Sequence, residues 1–140
     1  MTTNEICEYL GQVRGLKRRI ERLDEQILSL RYSLLPGAIR YDKERVVTSP
    51  KDSVTETFAL IDALERDRAK MIEQQNKIQI EIYRKIKQLP VGKERVFLVR
   101  YYIVCENMTN IADGLDITVR HLFRVRDNAI RMLAELQDEI

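Results

Sequence analysis

Apolar residues recur at steps of three and four from the first turn onward. Ile6, Leu10, Val13, Leu16, Ile20, Leu23, Ile27, Leu30 and Leu34 fall on one face of a helix. At ~1.5 Å per residue such a helix reaches roughly 45 Å, too long for a compact domain to cover, so a partner helix is expected along it. Its other face mixes Arg14, Lys17, Arg18, Arg19 and Arg22 with Glu21, Asp24 and Glu25, the pattern of a solvated surface. Pro36-Gly37 ends the helix, because proline cannot continue the hydrogen-bond ladder and glycine permits a left-handed turn. Residues 38–51 have no clear period, and their Val46-Val47 pair is expected to pack over the helices.

The capping patterns Ser49-x-x-Asp52 and Ser53-x-x-Glu56 predict a second helix starting near Asp52. Phe58, Ile61, Leu64, Met71, Ile78, Ile82, Ile86 and Leu89 form its stripe, interrupted by Arg68 and Gln75. Two long amphipathic helices joined by one connection predict an antiparallel hairpin. Arg68 and Gln75 either set its register or merely edge the stripe. Pro90 and Gly92 close the arm, dividing the chain into residues 1–89 and 90–140.

Beyond that boundary the predicted helices are short. One spans Lys93 to Val104, a second is capped by Asn107 and runs through Leu115, and a third is capped by Thr118 and runs past Leu136. Only Asp116-Ile117 and the Thr118 cap separate the last two, which is the spacing of a helix-turn-helix. Ile111, Ala112, Leu122, Val125, Ala129 and Leu133 face inward, with Leu115 and Ile117 in the corner. Left outward are Arg120, Arg124, Asn128 and Arg131 at near four-residue steps, with His121 beside them. Arginine bridges guanine with two hydrogen bonds in the major groove, where the first turn of a recognition helix meets base edges.

Composition narrows the chemistry. The 140 residues carry 24 Lys and Arg against 22 Asp and Glu, so neutrality as a whole argues against a nucleic-acid binder. Read in place, Arg84 to Arg126 holds nine Lys and Arg against Glu94, Glu106, Asp113 and Asp116, and Lys93, Arg95 and Arg100 become candidate phosphate contacts. Two distant cysteines, Cys7 and Cys105, and the single His121 supply neither a zinc site nor a disulfide framework. Cys105 reads as a small buried residue near a helix end, and His121 as a phosphate or water contact. No paired carboxylates, Gly-rich phosphate loop or placed nucleophile appear, so no enzyme, cofactor or metal is expected. No membrane-length apolar run or leader is seen, and a cytoplasmic protein is expected.

Several spaced features together resemble a known module. Leu89-Pro90, Glu94 through Tyr101, Asn107, Ile111-Ala112, Leu115 to Thr118, Val125 and Ala129 to Leu133 resemble region four of bacterial sigma factors, which reads the promoter element upstream of the start site. With the preceding hairpin and its Tyr41-Asp42 and Ser49-Pro50 connection, the whole chain is similar to the ArpU-type phage regulators, activators of late packaging and lysis genes. The resemblance implies an all-α fold, a long antiparallel hairpin followed by a three-helix module. It further implies base contacts from Val119, Arg120, Phe123 and Arg124 and a phosphate contact from Arg100. Thr109, Thr118, His121 and Asn128 join Lys93 and Arg95 in the expected backbone set. Two positions depart from the family pattern: Asn110 stands where Glu is usual, and Asp116 where the turn glycine is usual. Base preference therefore does not transfer.

Double-stranded DNA is the expected partner, with host RNA polymerase and further copies of the chain, joined through the long helices, beside it; the bacterial nucleoid is the expected place. Phe123 and Val119 fit a thymine-methyl contact or an apolar dimer contact equally. Two other classes stay open: the DNA-recognition small subunit of a phage packaging terminase, and a helical adaptor whose arginines are only solvated.

Overall fold

The computed structural model describes residues 2–35 and 50–138, and among them every regular element is helical. The first predicted helix is in fact two. α1 (Thr3–Leu10) is capped by the Thr2 hydroxyl, which accepts from the Glu5 N–H at 3.2 Å, and α2 is Gln12–Ser33. Gly11 lies between them with ψ near −8°, yet its N–H still bonds Cys7 O at 2.9 Å and its carbonyl accepts from Gly15 N–H at 3.0 Å. The apolar period passes through this joint unbroken, which is why periodicity alone merges the two segments.

α3 is Pro50–Ile86, starting two residues before the expected Asp52. Proline suits the first helical position, where its missing N–H has no partner to lose. Ser53 accordingly lies inside the helix and does not cap it, its carbonyl accepting from the Thr57 hydroxyl at 2.9 Å. The Pro36-Gly37 stop, the 38–49 connection and Ser49 lie outside the described residues. α3 stops at Ile86 and a turn of i→i−3 bonds follows it, with Leu89 still buried.

The predicted Lys93–Val104 helix is α4 (Lys93–Leu98) continued by one π-helical turn, Val99–Ile103. Val104 N–H reaches back to Val99 O at 3.0 Å and Glu106 N–H to Arg100 O at 2.9 Å. Closing so wide a turn takes a left-handed residue, and Cys105 supplies it at φ 66°. Cys105 is half-buried rather than a core residue. α5 (Met108–Leu115) and α6 (Val119–Asp138) complete the chain.

Packing groups the chain into two compact units. One compact unit takes the chain up to Lys17 together with everything from Gln74 onward, and the other is Arg18–Glu73. In the first unit α6 packs against α1, α4 and α5. Its core joins Ile6 and Leu10 of α1, Ile82 and Ile86 of α3, Phe97 and Leu98 of α4, Ile111 and Ala112 of α5, and Leu122, Val125, Ala129 and Leu133 of α6. Phe97 stacks on Tyr101 at 5.3 Å between centroids, and Tyr102 meets both rings edge-on. A stripe shows that a helix face is covered and not by what, so the joining of α1 and the end of α3 to this core is visible only in the folded chain.

The second unit is leaner. Ile20, Ile27 and Ile61 are buried, whereas Leu23, Leu30 and Leu64 are half-exposed. Phe58, expected on the stripe, is 58% exposed. Asp24 of α2 pairs with Arg68 of α3, and Arg31 with Glu65, so residue number rises along one helix as it falls along the other. Arg68 thus has a carboxylate partner.

Candidate nucleic-acid interface

The segment from Asn107 to Arg124 is built by two caps and one left-handed residue. The Asn107 side-chain oxygen accepts from Asn110 N–H at 2.8 Å and starts α5. At the other end Asp116 adopts φ 57°, ψ 44°, and Ile117 N–H returns to Ala112 O at 3.0 Å. Asp takes the place where glycine is usual, at a modest conformational cost. The Thr118 hydroxyl then accepts from His121 N–H at 3.0 Å and starts α6. Ile111 and Ala112 are buried and Leu115 and Ile117 half-buried, so the turn is held from inside by apolar contacts.

That framework fixes what α6 presents. Leu122, Val125 and Ala129 point into the core, leaving Val119, Arg120, His121, Phe123 and Arg124 exposed. Phe123 is 42% exposed although apolar, and the Arg126 guanidinium lies 5.0 Å from its ring centre. Among the described residues neither Arg120 nor Arg124 enters an ion pair, whereas Arg126 bonds Asp127 at 3.2 Å. The N-terminal turns of α6 therefore offer unneutralised guanidinium groups beside apolar surface and a helix N-terminus, where the partial charge is positive.

The expected backbone contacts divide. Lys93, Thr109, Thr118 and His121 are exposed. Thr118 is already occupied as a cap, and half-buried Asn128 accepts from Arg131 at 2.9 Å. Arg95 is half-buried beside Val91, Val96 and Val99. Arg100 differs most from expectation. Its fork closes on Glu106, with Nε 2.5 Å from one carboxylate oxygen and a terminal nitrogen 3.0 Å from the other. This contact holds the Glu106 carboxyl below the usual carboxylate range. The guanidinium also fills the space over Gly114, where an added Cβ would lie 2.0 Å from its nitrogen. Arg100 is thereby a brace between the π turn and α5, and its charge is already answered.

Two further side chains hold the same corner, and the sequence reading missed both. Arg14, assigned to a solvated face, donates to Tyr101 O at 2.9 Å and Glu106 O at 3.2 Å, with its guanidinium 4.1 Å from the Tyr101 ring centre. Gln79 donates to Ile103 O at 3.1 Å. Tyr101 O and Ile103 O belong to the end of the π turn, where carbonyls lack intrahelical partners, and Glu106 O to the link that follows it; Arg14 adds charge suited to the negative end of the dipole. Arg14 falls four residues after Leu10, at the edge of the buried stripe, and that position is the only local sign of its role. Burial pushes the Tyr102 phenol up to about 12, and burial, then the Glu81 carboxylate, holds Tyr9 above its usual range.

Among the described residues no group of three or more His, Cys, Asp or Glu is placed to hold a metal ion, and no helix is long and apolar enough to cross a membrane. Comparison with family models, curated proteins and solved structures gave no match for the chain.

Proposed function

We propose that the chain is a sequence-specific double-stranded DNA-binding regulator of transcription, in which α5 and α6 act as a helix-turn-helix and α6 enters the major groove. The observation that carries this reading is the exposed start of α6, where Arg120 and Arg124 have no ion-pair partner among the described residues and stand next to exposed Val119 and Phe123. Arginines free of internal carboxylates keep their charge and their hydrogen-bond forks for bases and phosphates. Lys93 supplies a phosphate contact, while Arg100 contributes by holding α5 in place. The α2–α3 pair is a helical hairpin that serves self-association. The resemblance to ArpU-type regulators supports a late-gene activator in a phage or prophage, working beside host RNA polymerase in the bacterial cytoplasm.

Selection of bound duplexes from a random pool, followed by reporter activation from the recovered site, tests binding, sequence and activation together. Arg124→Ala is expected to weaken the preferred site by ~1–3 kcal/mol and random DNA far less. Lys93→Ala is expected to weaken all sequences alike and to lower the salt slope by about one. No binding to any duplex at low salt overturns the reading.

A further inference from the structure

The compact unit that carries α6 has a second exposed surface. Two adjoining hollows, of about 410 and 380 Å³, share Tyr83 as a common wall. Ile80 and Ile103 line one, Val91, Val96 and Val99 the other, and Val91 is 88% exposed. A continuous apolar surface of this kind marks a contact site more often than bare solvent exposure. Its cations are Arg84, Lys87 and Arg95, none of which enters an ion pair among the described residues, and Arg100, which Glu106 neutralises. No carboxylate lines either hollow. The surface thus calls for an apolar helix edge carrying unpaired acids.

The chain itself contains that element. On α2, Glu21, Glu25, Leu28 and Tyr32 follow steps of four, three and four, placing them on one face. All four are exposed, Tyr32 at 65%, and among the described residues Glu21 and Glu25 enter no ion pair. Leu28 and Tyr32 have the i, i+4 spacing with which a helix seats side chains in an apolar groove, and exposed Leu35 follows just beyond the helix end. We propose that this α2 face of one copy docks into the Tyr83 groove of a second copy, with Glu21 and Glu25 answering Arg84, Lys87 and Arg95.

The two surfaces are different parts of the chain, so each contact leaves one groove and one α2 face open. Such head-to-tail association grows into rings or filaments instead of stopping at a dimer. Because its charges lie at the rim, it weakens with salt. The inference rests on the self-association proposed for the α2–α3 pair and is independent of the DNA-binding reading, since it uses neither Arg120 nor Arg124.

Sedimentation of the full chain over a range of concentrations tests it. The wild type is expected to pass beyond dimers at low salt. Leu28→Glu with Tyr32→Glu on the α2 face, or Ile80→Glu with Tyr83→Glu on the groove, is expected to weaken association by about tenfold or more while helical circular dichroism is kept. Mixing the two variants is the decisive arm: each retains the face the other lacks, so a one-to-one dimer that grows no further is expected. A wild type that stays monomeric at every concentration overturns the proposal, as does a mixture that forms no dimer. Groove variants that lose DNA binding but associate like the wild type overturn it too, assigning those cations to phosphate instead.

Discussion

The two compact units are made from the same helical pattern but hold it by different means. In the unit that includes α4 to α6, the short helices α1, α4 and α5, the longer α6 and parts of α2 and α3 close around Phe97, Leu98, Ile111 and Leu122, each fully buried. Among the described residues of the Arg18–Glu73 unit, two helices face each other, and Ile20, Ile27 and Ile61 are the buried apolar residues. Exposed ion pairs, Asp24–Arg68 and Arg31–Glu65, supplement that thin seam. Two helices can cover only one stripe on each other, whereas helices from several directions enclose a side chain on all sides. The enclosed unit can hold a surface such as the start of α6 in one geometry, while the thin pair leaves apolar side chains outside.

The sharpest way to break this comparison is to remove one core side chain from each unit. Phe97→Ala deletes a ring that touches two other aromatics and leaves a cavity that its neighbours cannot fill. A loss of about 3–5 kcal/mol is expected, read as a lower urea midpoint. Ile27→Ala, in the thin seam, is expected to cost about 2 kcal/mol, toward the lower end of the range for such truncations, because solvent lies close by. Equal losses at the two sites would show that the seam is as enclosed as the core.

Next comes the brace at the foot of α5. Contact with Arg100 lowers the Glu106 pKa in the folded chain, so the pair stabilises the fold above the ordinary carboxylate pKa and is lost as pH falls through the lowered value. Glu106→Gln is expected to reduce stability near neutrality and to flatten the acid limb of a urea-midpoint profile against pH. If the variant and wild type run parallel down to low pH, the ion pair contributes nothing. Gly114→Ala probes the same corner sterically, since the new methyl displaces the Arg100 fork from its seat. Both variants should retain the enclosed core of the first unit.

These residues also show where sequence reading reached and where it stopped. The buried face of α6, the Asn107 and Thr118 caps and the tight Asp116 turn were all legible, because each depends on neighbours within four residues. Arg14 was not, because its acceptors lie 87 and 92 residues away along the chain. The Arg100–Glu106 pair escaped for a related reason: a π turn and a left-handed Cys105 fold the carboxylate back, and nothing in the i→i+4 arithmetic anticipates a five-residue turn. The exposed arginines of α6 were readable as a face, but their lack of ion-pair partners among the described residues is visible only in the folded chain.

A smaller effect appears at high pH. Tyr102 titrates at about 12 in the folded chain against 10 as its reference, so folding favours the neutral phenol. Its contribution is complete below pH 10 and disappears as pH rises toward about 12. Tyr102→Phe is expected to remove part of the alkaline loss of stability, with Tyr9, raised in the same direction, supplying the remainder. An unchanged alkaline limb would mean that the Tyr102 hydroxyl reaches water.

The smallest expected change is at the turn itself. Asp116 holds φ 57° without being glycine, a conformation that costs an ordinary side chain about 1 kcal/mol. Its side chain is exposed and enters no ion pair among the described residues, so Asp116→Gly gives up little contact. Relief of the strained conformation is offset in part by the greater freedom that glycine gives the unfolded chain. A net gain of less than about 1 kcal/mol is therefore expected from urea unfolding. A destabilised variant would mean that the Asp116 carboxylate supports the turn, making the departure from glycine a built feature of this corner and not a tolerated one.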